Sequence, residues 1–177
     1  GDALAELARV QWLAGGEGGY AEALRLFEEA LEVRRSLGSA RAIAEILGLI
    51  ANIHIQRGDY DAARAPLEEA SALAREAFDV AAEARALMAL GAIAYFGGDL
   101  ERALEVWKDG LRAAETAGER ELIGAFLNNL GETRLARGEL DHAAAALLEA
   151  RETTTETGDL RTLADRVLRG ELPSTLP

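Results

Sequence analysis

The chain has 177 residues, of which 49% are hydrophobic and 28% are charged, and its formal net charge is −12. This composition argues against a disordered chain, and the acidic excess disfavours nucleic acids and anionic membranes as partners. The absence of cysteine excludes disulfide scaffolds, thiolate zinc sites and cysteine nucleophiles. No apolar run approaches the ~20 residues of a membrane span, so we expect a cytoplasmic protein.

Helix-breaking residues are rare in the body of the chain. Of the three prolines, only Pro66 precedes residue 173, so helix can run almost everywhere. Pro66 should bend its helix rather than end it, because Leu67 and Ala70 continue the apolar pattern. We therefore predict an all-α fold.

A repeat of forty residues runs through the sequence, because Gly18, Gly58, Gly98 and Gly138 lie at this interval. Four further columns keep the same phase, and their members are Tyr20, Tyr60, Leu100 and Leu140; Ala23, Ala63, Ala103 and Ala143; Phe27, Leu67, Trp107 and Leu147; and Ala30, Ala70, Gly110 and Ala150. Such agreement at one period indicates a repeat architecture. The four predicted units are about residues 1–38, 39–78, 79–118 and 119–158.

Each unit is predicted to contain two helices, as the second unit illustrates. Residues 40–57 carry apolar side chains at helical spacing. Gly58 can end this helix in the left-handed conformation. Asp59 can cap the next helix, over about residues 60–77, by accepting a backbone N–H.

Glycine marks most of the other predicted turns. The stretch 15–19 in the first unit is interpreted as a turn, since it lacks the Lys and Ser/Thr of a phosphate-binding loop. The turns between units contain Gly38, Gly118 and Gly158, with Phe78 as the exception.

Residues 159–177 follow the fourth unit. Their apolar stripe consists of Leu160, Leu163, Ala164, Val167 and Leu168. One apolar side and one polar side are typical of a capping helix. The first helix of a truncated fifth repeat is the alternative, and the phase of the pattern leaves both open.

The repeated columns resemble the tetratricopeptide repeat (TPR). In the second unit the matching residues are Leu47, Ile50, Ala51, His54, Gly58, Tyr60, Ala63, Leu67 and Ala70. The forty-residue period is similar to the long-helix subclass found in cell-polarity adaptors and large bacterial regulators, although Gln11, His54 and Arg134 depart from the pattern. The resemblance covers about residues 4–158 and implies a right-handed α-solenoid of four helix hairpins with a C-terminal capping helix.

The same columns predict how the helices pack. Small residues at Ala51, Gly91 and Gly131 should let the two helices of a unit approach closely. Large residues from the second helices should then fill the space between units, and these are Leu67, Trp107 and Leu147.

No catalytic or metal-binding pattern is found in the sequence. The two histidines are His54, expected to be half-buried in a packing column, and His142, expected to be solvated. There is no HExxH motif and no Asp-rich loop. We therefore expect a protein that is not an enzyme and needs neither a cofactor nor a metal.

The resemblance implies a concave groove built from the first helix of each unit. The main candidate positions are Trp12, Glu45, Asn52, Gln56, Arg85, Met88, Tyr95, Phe96, Asn128, Asn129 and Glu132. The resemblance also places Ala8, Arg9, Leu49, Ile55, Ala92 and Leu135 in the groove. Asparagine amides both donate and accept hydrogen bonds, which suits an extended peptide backbone, and the aromatic and Met side chains offer an apolar platform. The alternative is that Tyr95 and Phe96 only pack on the next repeat and that the asparagines are plain surface.

A basic clamp for a terminal carboxylate is not expected in this groove, because Lys108, the single lysine, lies on the second helix of its unit. The sequence instead predicts a module that binds a peptide or protein segment, as the adaptor or sensor part of a larger bacterial regulatory protein. The net charge of −12 favours a partner with basic residues beside Glu45 and Glu132. Two alternatives are a self-associating scaffold whose end units stack and a small-ligand sensor domain of a transcription regulator.

Deletion of residues 160–177 tests the predicted capping helix. The truncated chain should melt at a lower temperature and self-associate more, because the apolar side of the fourth unit, around Leu130 and Leu147, would be uncovered. Thermal unfolding and size-exclusion chromatography measure the two effects. An unchanged melting temperature with a sharp monomer peak would show that this segment is only a tail.

Overall fold

A computed structural model describes residues 2–153, and every regular element in that range is an α-helix. The helices are α1 (Asp2–Ala14), α2 (Gly16–Leu37), α3 (Ala40–Gln56), α4 (Tyr60–Glu76), α5 (Val80–Phe96), α6 (Leu100–Ala117), α7 (Arg120–Ala136) and α8 (Leu140–Thr153). The predicted all-α class is confirmed. The predicted capping helix and its alternative, the truncated fifth repeat, lie outside the described residues.

The helices pack in sequential pairs. Helices α1 and α2, α3 and α4, and α7 and α8 are the most extensively packed neighbours, and α2–α3 and α6–α7 contacts connect consecutive pairs. The chain forms two compact units that divide within α5, between Ala86 and Leu87. Each unit has its own set of helix contacts.

Left-handed residues end the helices where the glycine columns predict. Gly58, Gly98 and Gly138 have φ between 76° and 82°, as an L side chain rarely does. Gly38 and Gly118 take the same conformation at the ends of α2 and α6, where their N–H groups bond to carbonyls of the last helical turn.

Phe78 takes the left-handed conformation without being glycine. It stands where Gly38 and Gly118 stand in other units, and its φ is 55°. Its ring is 89% exposed. A bulky residue at positive φ is a backbone outlier, so the turn before α5 carries strain that the glycine turns avoid.

The predicted turn over residues 15–19 is wrong except at its start. Helix α2 already begins at Gly16, and Gly18 lies inside it. The physical reason is that Gly15 and Gly16 have φ of 69° and 72°, so the chain reverses there. The reversal comes early enough for α2 to extend to 22 residues.

The predicted cap at Asp59 is also wrong. Its carboxylate makes no hydrogen bond to the first turn of α4. It lies instead 3.5 Å from Arg57 Nε and 4.0 Å from His54 Nδ1, because these cationic and polar groups at the end of α3 compete for the same oxygens. Asp99, at the equivalent position before α6, does accept a hydrogen bond from the Arg102 backbone N–H at 3.0 Å.

Pro66 lies inside α4, which continues from Tyr60 to Glu76. The helix therefore does not end at the proline. Leu67 and Ala70, on the far side of it, are buried as the apolar pattern predicts.

Glycines on first helices let large side chains of second helices approach the backbone. A methyl group at Gly91 would overlap the Trp107 indole, and one at Gly131 would lie 2.6 Å from Leu147 Cγ. Trp107 is 3% exposed, and its Nε1 donates to the Met88 carbonyl at 3.1 Å. The close approach predicted at Gly91 and Gly131 is confirmed.

The paired variants Gly91→Ala and Gly48→Ala test this packing. Gly91→Ala should lower the free energy of unfolding by about 1–3 kcal/mol, because the Trp107 indole must move away from the backbone of α5. Gly48 is also within a helix but has nothing within 4 Å of an added Cβ. Gly48→Ala should therefore raise the free energy of unfolding by about 0.5–1 kcal/mol.

Urea denaturation of both variants measures these changes. Opposite signs are the expected result, since the two substitutions are chemically identical and differ only in surroundings. Equal effects of either sign would contradict the close contact between α5 and α6.

Candidate partner-binding site

In the first compact unit, two polar contacts join candidate residues on α3 to α1. Trp12 Nε1 donates to Gln56 Oε1 at 2.8 Å, and Arg9 Nη2 donates to Glu45 Oε1 at 2.7 Å. These partners are 44 and 36 residues apart, so each pair joins consecutive first helices about one helical turn away from equivalent repeat positions. Both contacts are solvent-exposed.

These contacts change what the first unit can offer a ligand. The indole N–H of Trp12 and the charge of Glu45 are already matched within the protein. Asn52, on the same helix, is exposed, and its amide makes no hydrogen bond to any described residue. Asn52 is therefore a candidate on α3 with both its donor and its acceptor available.

Arg85 stands apart from the other candidates. It is exposed on α5, just before the division between the compact units. Within residues 2–153 its guanidinium makes no hydrogen bond or ion pair.

In the second compact unit, six candidates form one surface on α5 and α7. We call this surface the α5–α7 patch, and its members are Met88, Tyr95, Phe96, Asn128, Asn129 and Glu132. Asn129 Nδ2 lies 3.0 Å from Met88 Sδ, and Asn128 Nδ2 donates to Glu132 Oε1 at 3.0 Å. The structure thus joins residues that are about one repeat apart in the sequence.

Aromatic rings form the apolar part of the patch. The Tyr95 ring contacts Phe96 edge-on, with centroids 5.6 Å apart, and lies 5.8 Å from the Trp107 ring. Tyr95 is half-buried, whereas Phe96 is 56% exposed. Trp107 was predicted only as a filler between units, yet its ring also supports Tyr95.

The Tyr95 hydroxyl remains protonated over the physiological pH range. Burial raises its pKa, and the negative charge of Glu132 raises it further. A protonated phenol keeps its O–H as a hydrogen-bond donor, so this residue adds a polar group to the aromatic surface.

Asn128 carries an unsatisfied acceptor in the patch. Its Nδ2 is bonded to Glu132, but its Oδ1 is buried and has no hydrogen-bond partner. A buried amide oxygen without a donor costs free energy. The sequence identified Asn128 as a candidate, but only the structure shows which of its two polar atoms lacks a partner.

Two of the predicted groove positions are wrong, because their side chains are buried. Ala8 is fully buried in the core of the first unit, and Leu135 packs with Ala143 and Leu147 in the second. Both residues face neighbouring helices, because their side chains are needed to fill those contacts. They present no surface to a ligand.

The histidines lie as the sequence predicts. The His54 side chain is 20% exposed, and His142 is exposed. Nowhere in residues 2–153 do three or more potential ligands gather closely enough to hold a metal ion. No helix in that range combines the length and apolar character needed to cross a membrane.

Comparison with known proteins identifies the repeats. A family model for the tetratricopeptide repeat matches residues 3–76. The structure of BtubC (BKLC) from P. vanneervenii is similar, with a TM-score of 0.74 at 20% identity, over 98% of this chain and 66% of that one. A comparison with curated protein sequences found no match.

Two further structures share the fold. Aspartyl phosphate phosphatase F from Bacillus subtilis has a TM-score of 0.80 at 12% identity, over 95% of this chain and 47% of that one. Nearly identical TPR-like repeats of a kinesin light chain-type protein from Podosopora anserina have a TM-score of 0.70 at 16% identity, over 96% and 84%. At these identities the likeness establishes the fold alone. This chain spans less than two thirds of BtubC and of the phosphatase.

Proposed function

We propose, from the match of a tetratricopeptide repeat model to residues 3–76, that the chain is a non-enzymatic protein-binding module. Its ligand is an extended peptide or protein segment, which binds at the α5–α7 patch. The observation that carries this proposal is the unpaired, buried Oδ1 of Asn128 beside exposed aromatic surface. An incoming backbone N–H would satisfy this oxygen once the Asn128 side chain turns its amide toward the surface.

The patch offers three kinds of contact to such a segment. Asn128 accepts a backbone N–H, while Tyr95 and Phe96 receive an apolar side chain. The carboxylate of Glu132 lies beside them and attracts a basic side chain. In the first unit Glu45 is matched by Arg9, so we assign the attraction for basic residues to Glu132 rather than to Glu45.

The biological setting is part of the proposal. We propose an adaptor or sensor role within a larger bacterial regulatory protein. Its support is that the chain spans only part of two longer neighbours, 66% of BtubC from P. vanneervenii and 47% of the phosphatase from Bacillus subtilis.

Peptide selection followed by mutation tests the patch. Random peptides of about twelve residues are selected on the full chain, and the affinity of an enriched peptide is measured by fluorescence anisotropy. Asn128→Ala should weaken binding about tenfold, because it removes the acceptor that we assign to the peptide N–H. Helical circular dichroism should stay unchanged.

Charge variants provide the matched control. Glu132→Gln keeps an acceptor for Asn128 but removes the negative charge. The peptide affinity of this variant should therefore change much less between about 50 and 300 mM salt than the affinity of the wild type. Glu121→Gln makes the same change at an exposed position of α7 outside the patch and should bind like the wild type. A peptide that binds all three variants and the wild type equally would place the site elsewhere.

Self-association is a second candidate function, and one observation favours it. Leu7, Val10 and Leu13 on α1 are 48%, 59% and 84% exposed. The residues one repeat later on α3 are 3%, 6% and 0% exposed, and these are Leu47, Ile50 and Ile53. Helix α1 therefore exposes the apolar face that α3 buries, and a second copy would cover it.

Sedimentation velocity over a range of protein concentrations tests this candidate. The average mass should rise with concentration, and Leu13→Glu should abolish the rise. Leu37→Glu makes the same change at a position of α2 that is 68% exposed and should leave it intact. A wild type that stays monomeric at about 100 µM would exclude self-association through α1.

A further inference from the structure

A polar cavity of about 360 Å³ lies in the second compact unit and shares no residue with the α5–α7 patch. It is formed by one face of α6, the end of α7 and the start of α8. Charged side chains make up most of its lining, and Lys108, the single lysine of the chain, is among them.

All three carboxylates of the lining have arginine partners. Glu139 lies 2.7 Å and Glu101 3.7 Å from nitrogens of Arg137, and Glu105 lies 3.2 Å from Arg102. Glu101 and Glu139 share a single guanidinium, so Arg137 balances only one of their two negative charges. None of the three carboxylates forms an ion pair with the remaining cations of the cavity, Lys108 and Arg134.

Two cations of the lining have no carboxylate partner. The Lys108 ammonium is exposed and makes no ion pair within the described part of the chain. Arg134 donates from Nη1 to the backbone carbonyl of His142 at 3.3 Å, which leaves its charge unmatched. The lining thus holds two cations without an ion-pair partner, while its three carboxylates and three cations sum to no net charge.

We propose that this cavity binds a phosphate monoester, carried by a small molecule or by a phosphorylated side chain. Lys108 supplies a compact positive charge, and the Arg134 guanidinium supplies a fork of N–H donors for two phosphate oxygens. The exposed His142 ring lies in the same lining and adds a further polar contact. Lys108 and Arg134, the two cations without an ion-pair partner, can each contact a charged oxygen of a phosphate dianion, whereas a carboxylate brings a single negative charge.

Calorimetric titration of the full chain with O-phosphoserine tests the proposal. Phosphoserine should bind, while serine and acetate should bind at least about tenfold more weakly, because neither brings two negative charges. Lys108→Gln and Arg134→Gln should each weaken phosphoserine binding about fivefold or more. Arg112→Gln, an exposed α6 arginine paired with Asp109 outside the cavity, should have no effect.

Further variants separate this site from folding effects and from the patch. Arg134→Lys keeps the positive charge, so it should retain part of the phosphoserine affinity that Arg134→Gln loses. A loss caused only by a disturbed turn between α7 and α8 would not be restored by this charge. Asn128→Ala should bind phosphoserine like the wild type, so loss of peptide binding and loss of phosphate binding remain distinguishable. A phosphoserine peptide that binds tenfold more tightly than free phosphoserine would identify the source as a phosphorylated side chain.

Equal affinities would identify a small molecule as the source. The absence of phosphoserine binding at about 10 mM would overturn the proposal. So would a Lys108→Gln variant with wild-type affinity, because an anion held elsewhere would not sense this lysine.

Discussion

The close approach of paired helices is the constraint on which the rest of the structure depends. In the second compact unit, Gly91 leaves room for the Trp107 indole to reach the backbone of α5, and Gly131 leaves room for Leu147. Because each large side chain is seated against a glycine, the rotation of each second helix about its own axis is fixed. The polar faces of the first helices are then presented to solvent in a defined orientation.

The surface of the second unit follows from this arrangement. Trp107 fills the space above Gly91 and at the same time lies against Tyr95, so a core contact positions a surface ring. The packing of α6 against α7 likewise brings Asn129 to Met88, although they are 41 residues apart.

Much of the fold could be predicted from the sequence, because glycine columns and apolar spacing are local signals. Helix ends at Gly58 and Gly138 and the close approach at Gly91 belong to this class. The start of α2 and the role of Asp59 could not be predicted in this way. The start of α2 depends on which glycine of the stretch reverses the chain, and the role of Asp59 depends on competition between the helix N-terminus and Arg57.

The candidate site shows the same division. Residue positions such as Asn128 follow from the repeat, because equivalent positions of first helices face the same way. The unpaired state of its Oδ1 depends on Glu132 taking the amide N–H instead. The cavity around Lys108 was not predicted, because its charge balance depends on which arginine each carboxylate selects.

The exposed ring of Phe78 has a consequence for the integrity of the chain. It occupies a turn in a strained backbone conformation, with 89% of its surface open to solvent. Exposed turns are preferred sites of proteolytic nicking, and enzymes that cleave after aromatic residues would find both their side chain and an accessible backbone here. A cut at this turn would leave α1 to α4 as one fragment, so the connection before α5 is the point where limited digestion would begin.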